Sequence, residues 1–256
     1  MTGAARIGLP IEESGDAGPG WSASSGSGTR RVVIGLGLAV AVVHLASLLA
    51  GADPLAAATK AALVPLLAAY LLVSTPRHRS PIVRLTVVAL GFSWLGDVVP
   101  NLVADDVSFL VMVGFFLLAQ VAYIAAFAPR FRGGPLRRRP VLGLPYVAAF
   151  VLLLVACVPG AGGLVAPAVL YGACLVTMAA LTTGVNRVAA IGGAVFLVSD
   201  TLIALGAFAP WFDLPQAGFW VMLTYIAGQT LLVTGVLAAD RTDRQLSRSR
   251  APGRAG

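Results

Sequence analysis

Three ionisable side chains lie inside long apolar runs of the sequence: Lys60, Asp97 and Asp200. A charged group at membrane depth costs at least ~2.5 to 3.5 kcal/mol on insertion scales, so such groups face a bundle interior, a cavity or a partner. Two carboxylates and a cation are also the parts of an acid–base site, because neighbouring carboxylates do not both ionise readily and one keeps its proton. Neutral polar residues fall at compatible depths. Ser93, Asp97 and Asn101 follow i, i+4, i+8 spacing with Trp94 adjacent, Gln120 and Tyr123 are i, i+3, and Tyr225 and Gln229 are i, i+4, so each set predicts one inward face. Singly, each of these also fits helix–helix glue or an interface anchor. The competing reading of the charges is a structural ion pair of Lys60 with one aspartate, which leaves the second carboxylate unexplained. His44, in the first apolar run, reads as a hydrogen-bonded packing residue.

The elements that position these groups follow from composition. Of 256 residues, 58% are hydrophobic and 11% charged, which excludes an ordinary soluble fold with its roughly 25% of charged residues. Apolar runs over 32–51, 55–74, 82–99, 107–128, 141–158, 164–183, 188–209 and 216–239 predict an all-α, polytopic bundle of eight transmembrane helices. Residues 1–29, rich in Gly, Ser, Ala and Pro, predict a disordered tail; 30–240 form the membrane domain; 241–256 read as a basic disordered tail. Thr29-Arg30-Arg31 resembles a twin-arginine export signal, but its apolar stretch flows straight into further spans.

Every arginine falls before the first span or in the loops after even-numbered spans, while Asp53, Asp105, Asp106 and Asp213 occupy the opposite loops. The positive-inside rule then predicts both termini in the cytoplasm of a bacterial-type plasma membrane. The net charge of +7 is explained by this blockwise placement, so nucleic acid is not an expected partner. Lys60, the sole lysine, is the one basic residue outside the pattern.

Inventory excludes other chemistries. With only His44 and His78, the latter in an arginine-rich loop, the chain lacks the nitrogen and thiolate ligands of a zinc site, and no metal is expected. Cys157 and Cys174 predict different depths on adjacent spans, so no bridge is expected. No histidine after residue 78 can serve Ser93 as a base from a later helix. Leu95-Gly96-Asp97 overlaps an intramembrane aspartyl-protease pattern, but Trp94 replaces its first glycine and Ser199-Asp200 lacks its tyrosine. Asp97 and Asp200 each follow a small residue, on spans three and seven, and Gln120 and Gln229 follow on spans four and eight, which suggests a four-helix duplication.

Thr59-Lys60 with Pro65, Phe92-Ser93-Trp94-Leu95-Gly96-Asp97, the run from Phe115 to Tyr123 containing Ala119-Gln120, Phe196-Leu197-Val198-Ser199-Asp200 and Tyr225-Ile226-Ala227-Gly228-Gln229 resemble the successive motifs of the YhhN family of membrane proteins, which includes the lysoplasmalogenases. The resemblance spans roughly Thr59 to Val236. Two positions depart from it: Ala61 stands where the family often has Pro, and Gln120 where it often has His.

The resemblance implies cleavage of the vinyl-ether bond of a 1-alkenyl lysophospholipid to a fatty aldehyde and a glycerophospho-amine, without a cofactor. Asp97 and Asp200 would then be the catalytic pair, in either order of roles, by analogy with the paired carboxylates of glycosidases. Lys60 would bind the lipid phosphate or bias the pair, and Ser93, Gln120, Tyr123, Tyr225 and Gln229 would hold the substrate and water. The rival classes are a proton-coupled small-solute transporter and a non-catalytic lipid-binding protein.

Overall fold

In the computed structural model, which describes residues 24–250, the chain is helical throughout, with no strand among the described residues. Eight long helices carry the fold: α1 Ser24–Ala50, α2 Asp53–Val73, α3 Pro81–Val98, α4 Asp105–Phe131, α5 Leu144–Ala161, α6 Val165–Thr182, α7 Arg187–Phe208 and α8 Ala217–Arg250. By length and apolarity these make seven candidate spans, because the stretch Pro140–Thr182 is counted as one of 43 residues. A helix of that length would extend about 65 Å, twice a bilayer core. The stretch instead breaks at Gly162, whose φ of 49° a side chain would resist, and α5 and α6 fold back against each other. The eight expected helices are therefore all present.

Local chemistry sets the boundaries. Gly51 takes φ 66° after α1, and the Ala52 N–H donates to the Ser47 carbonyl at 2.9 Å, a Schellman closure that turns the chain directly into α2. Pro54, Pro81 and Pro145 stand in the first turns of α2, α3 and α5, where no intrahelical N–H is required. Asn186 caps α7: its side chain accepts from the Ala189 N–H at 2.9 Å, and its amide donates to the Gly235 carbonyl at 2.8 Å, tying α7 to α8.

Two boundaries differ from expectation. Helix α1 already includes Ser24–Thr29, and α8 continues through residues 241–250 rather than ending at the membrane surface. Polar pairing explains the second extension, since Arg244 grips Asp240 one turn back at 2.8 Å and Arg130 of α4 pairs with Asp243. The remainder of each expected tail, 1–23 and 251–256, lies outside the described residues.

Helices α2, α3, α4, α6, α7 and α8 are neighbours in that order around a ring that closes between α8 and α2, with α1 and α5 outside it. Each four-helix half thus contributes its last three helices to the ring and leaves its first outside. Bare glycine surfaces permit the closest crossing. A Cβ on Gly192 or Gly228 would come within 2.7 or 2.8 Å of backbone nitrogen on the facing helix, and one on Gly235 within 2.7 Å. Across the ring, Phe116 of α4 meets Tyr225 of α8 edge-on at 5.9 Å.

The candidate site at the centre of the helix ring

Lys60 lies near the start of α2 and Asp97 near the end of α3, so antiparallel packing brings them to the same end of the bundle. The Lys60 ammonium stands 3.3 Å from Asp97 Oδ1; Asp97 is 4% exposed and Lys60 32%. The other Asp97 oxygen accepts from the Tyr225 hydroxyl at 2.8 Å. Register between α2 and α3 is held by Trp94, whose indole N–H donates to the Ala61 carbonyl, next to Lys60, at 2.9 Å.

One turn deeper lies a second polar layer. Tyr123 donates to Gln229 Oε1 at 2.6 Å, and the Gln229 amide donates to Ser93 Oγ at 3.2 Å, joining α4, α8 and α3 through fully buried side chains. Satisfied networks of this kind fix a unique packing, because every unpaired member would be costly.

Asp200, on α7, is buried and accepts a hydrogen bond from the Tyr171 hydroxyl on α6. No hydrogen bond joins the two aspartates, each of which accepts from a different tyrosine. No cation pairs with Asp200 among the described residues. Gln120, wholly buried on α4, approaches the Tyr171 hydroxyl, yet neither its amide nitrogen nor its oxygen reaches a partner with hydrogen-bond geometry.

The expected residues thus converge: Lys60, Asp97 and Tyr225 form one group, Ser93, Tyr123 and Gln229 the layer beneath, and Asp200 and Gln120 meet on Tyr171. Asn101 departs from the expected face. After Val98 the chain tightens into a 3-10 turn over Val99–Leu102, so the i+8 position rotates outward, and the exposed Asn101 donates back to the Asp97 carbonyl. The expected ion pair also exists, and it takes Asp97 rather than Asp200.

Sequence reasoning missed Tyr171. In α6 it occupies nearly the depth that Lys60 has in α2, so the suspected duplication held the signal: each half sends a polar side chain from its second helix to the aspartate on its third. His44 packs as expected. Thr59 gives its hydroxyl proton to the Leu55 carbonyl at 2.6 Å, so His44 Nδ1–H donates to Thr59 Oγ1 at 2.9 Å, bracing the turn that carries Lys60. Cys157 and Cys174 are both free thiols.

A ring of membrane helices enclosing two differently partnered aspartates defines a polytopic membrane protein with a buried polar centre. The YhhN family model matches residues 55–236, and the chain belongs to that family. No curated protein and no solved structure matches it.

Proposed function

We propose that this protein is a membrane-embedded hydrolase that cleaves the vinyl-ether bond of a lysoplasmalogen-type lipid. The observation that carries the reading is the unequal partnering of two intramembrane aspartates, one beside an ammonium and one beside a phenol only. Family membership agrees with it.

Vinyl ethers hydrolyse by protonation at the carbon remote from oxygen, which leaves an oxocarbenium ion. Water adds to that ion, and the hemiacetal collapses to aldehyde and alcohol. The lone Asp200 suits the acid: its proton passes to carbon. Asp97, beside the Lys60 ammonium, stabilises the cation and accepts the proton that the attacking water sheds. That proton returns to the departing glycerol oxygen while the hemiacetal hydroxyl gives its own proton back to Asp200, so one water is consumed and both carboxyls end as they began. Lys60, one-third exposed, is the group positioned to meet a phosphate. Tyr225 and Tyr171 fix the two carboxyls, Gln120 orients the glycerol or water, and Ser93, Tyr123 and Gln229 brace the layer below.

Purified protein incubated with a lysoplasmalogen and with its saturated ether analogue tests the reading. Aldehyde release from the first alone is the expected result. No release from any vinyl-ether lipid, with solute flux in liposomes, would instead favour a transporter.

A further inference from the structure

An apolar cavity lies between α4, α5, α6 and α7, with about 60 Å³ open to the centres of water-sized molecules. Its walls are hydrocarbon and aromatic, with Leu110, Leu154, Val158 and Ile203 among them, and its polar lining comes from Asp200 and the Tyr171 hydroxyl. On α6 the lined stretch runs from Pro167 to Leu175, and on α7 from Phe208 back to Asp200, or about 12 Å of helix rise on each. Asp200 marks the deep end of that α7 stretch. At the other end Phe109 and Phe208 close the cavity edge-to-face at 5.5 Å. Leu110 and Val158, 43% and 37% exposed, stand where the wall meets the bundle's outer surface, the side that faces lipid.

We propose that this cavity is the hydrocarbon-chain site of a single-chain lipid, entered sideways from the bilayer, with the chain's polar junction at Asp200 and Tyr171. The inference rests on the hydrolase reading for what happens at that junction, but not for the occupant. A dry, elongated pocket with polar atoms at one end takes a molecule built the same way, an alkyl chain ending in an oxygen-bearing group. Next to Tyr171 the wholly buried Gln120 amide, which does not itself line the cavity, is unpartnered in both directions. A second apolar pocket, between α1, α2 and α8, touches Tyr225 and Gln229. Both of those side chains already have protein partners, and no carboxylate lines that pocket, so it lacks the acidic group found at the end of the first. The aromatic pair Phe109 and Phe208 sets the length of chain accepted.

The test uses the full-length protein in vesicles and a saturated alkyl-ether lysophospholipid with a photoactivatable diazirine in its chain, which binds without being hydrolysed. Cross-links should map to Leu110, Leu154, Val158 or Ile203 and be competed by unlabelled saturated lipid. Ala204→Trp, which fills the cavity, should weaken competition by long chains about tenfold while sparing short ones, and Phe109→Ala should extend the chain length accepted. Cross-links confined to α1 and α2, or none that competitor removes, would overturn the proposal, whatever the folding of the variants. Competed labelling at α4 to α7 without vinyl-ether cleavage would uphold the chain site and defeat only the hydrolase reading.

Discussion

The Lys60 ammonium stands 3.3 Å from Asp97 Oδ1, whereas Asp200 meets only a phenol among the described residues. Like side chains in one ring are thereby made chemically unlike. Removing one partner of a buried pair leaves the other uncompensated, so Lys60→Met should cost about 1 to 3 kcal/mol, below the fully buried case because Lys60 is partly exposed. The double variant Lys60→Met with Asp97→Asn should be more stable than Lys60→Met alone. Thermal unfolding in detergent measures both, and strict additivity would show that the pair is not energetically linked.

If the aspartates carry out acid–base chemistry, Asp97→Asn and Asp200→Asn should each lower aldehyde release by about 10² to 10⁴, because the amide keeps the shape but cannot exchange the proton. Both variants should still insert and fold. Turnover near that of the parent protein in either one removes its residue from the mechanism.

Phenol removal should act unequally. Asp97 keeps Lys60 when Tyr225 is changed to Phe, but Asp200 loses the one side chain that orients it when Tyr171 is changed. Turnover should therefore fall about tenfold further in Tyr171→Phe than in Tyr225→Phe. Equal losses would mean that Tyr171 does not orient the acid.

Trp94 acts at one remove. Trp94→Phe deletes the bond to the Ala61 carbonyl at a cost of about 0.5 to 1.5 kcal/mol and loosens Lys60 over Asp97. The expected signature is a rise in KM for phosphorylated substrate that a substrate lacking phosphate does not share.

Reporter fusions test orientation. Positive-inside placement puts a reporter after Arg139 or Arg244 in the cytoplasm and one between Asp105 and Asp106 outside. The opposite pattern at either end reverses the side from which Lys60 is reached.

Much of this arrangement was legible because the membrane makes polarity informative. Lys60, Asp97 and Asp200 stood out against apolar runs, and helical spacing placed Gln229 beside Tyr225 on one face. Tyr171 did not stand out, because a single tyrosine in an apolar span is usual at membrane interfaces and its partner lies on a different helix. Asn101 was misplaced because Pro100 sits where the helix changes pitch, so extrapolating 3.6-residue spacing past Val98 carried the face too far. The helical reach of α8 was hidden by composition: Asp243 and Arg244 read as a solvated tail until their partners Arg130, Asp240 and the His78 carbonyl are seen.

The division of the bundle into two four-helix halves bears on biogenesis. Lys60 and Asp97 both belong to the first half, so their charges can neutralise each other as soon as α3 has entered the bilayer. Tyr171, Asp200 and Tyr225 arrive only with the second half. A nascent chain paused after α4 therefore already carries its ion pair with Ser93, Gln120 and Tyr123, but not the second aspartate, the two tyrosines or Gln229 that complete the centre. The site comes into being at the moment α6, α7 and α8 close against α3 and α4, and not before synthesis is nearly finished.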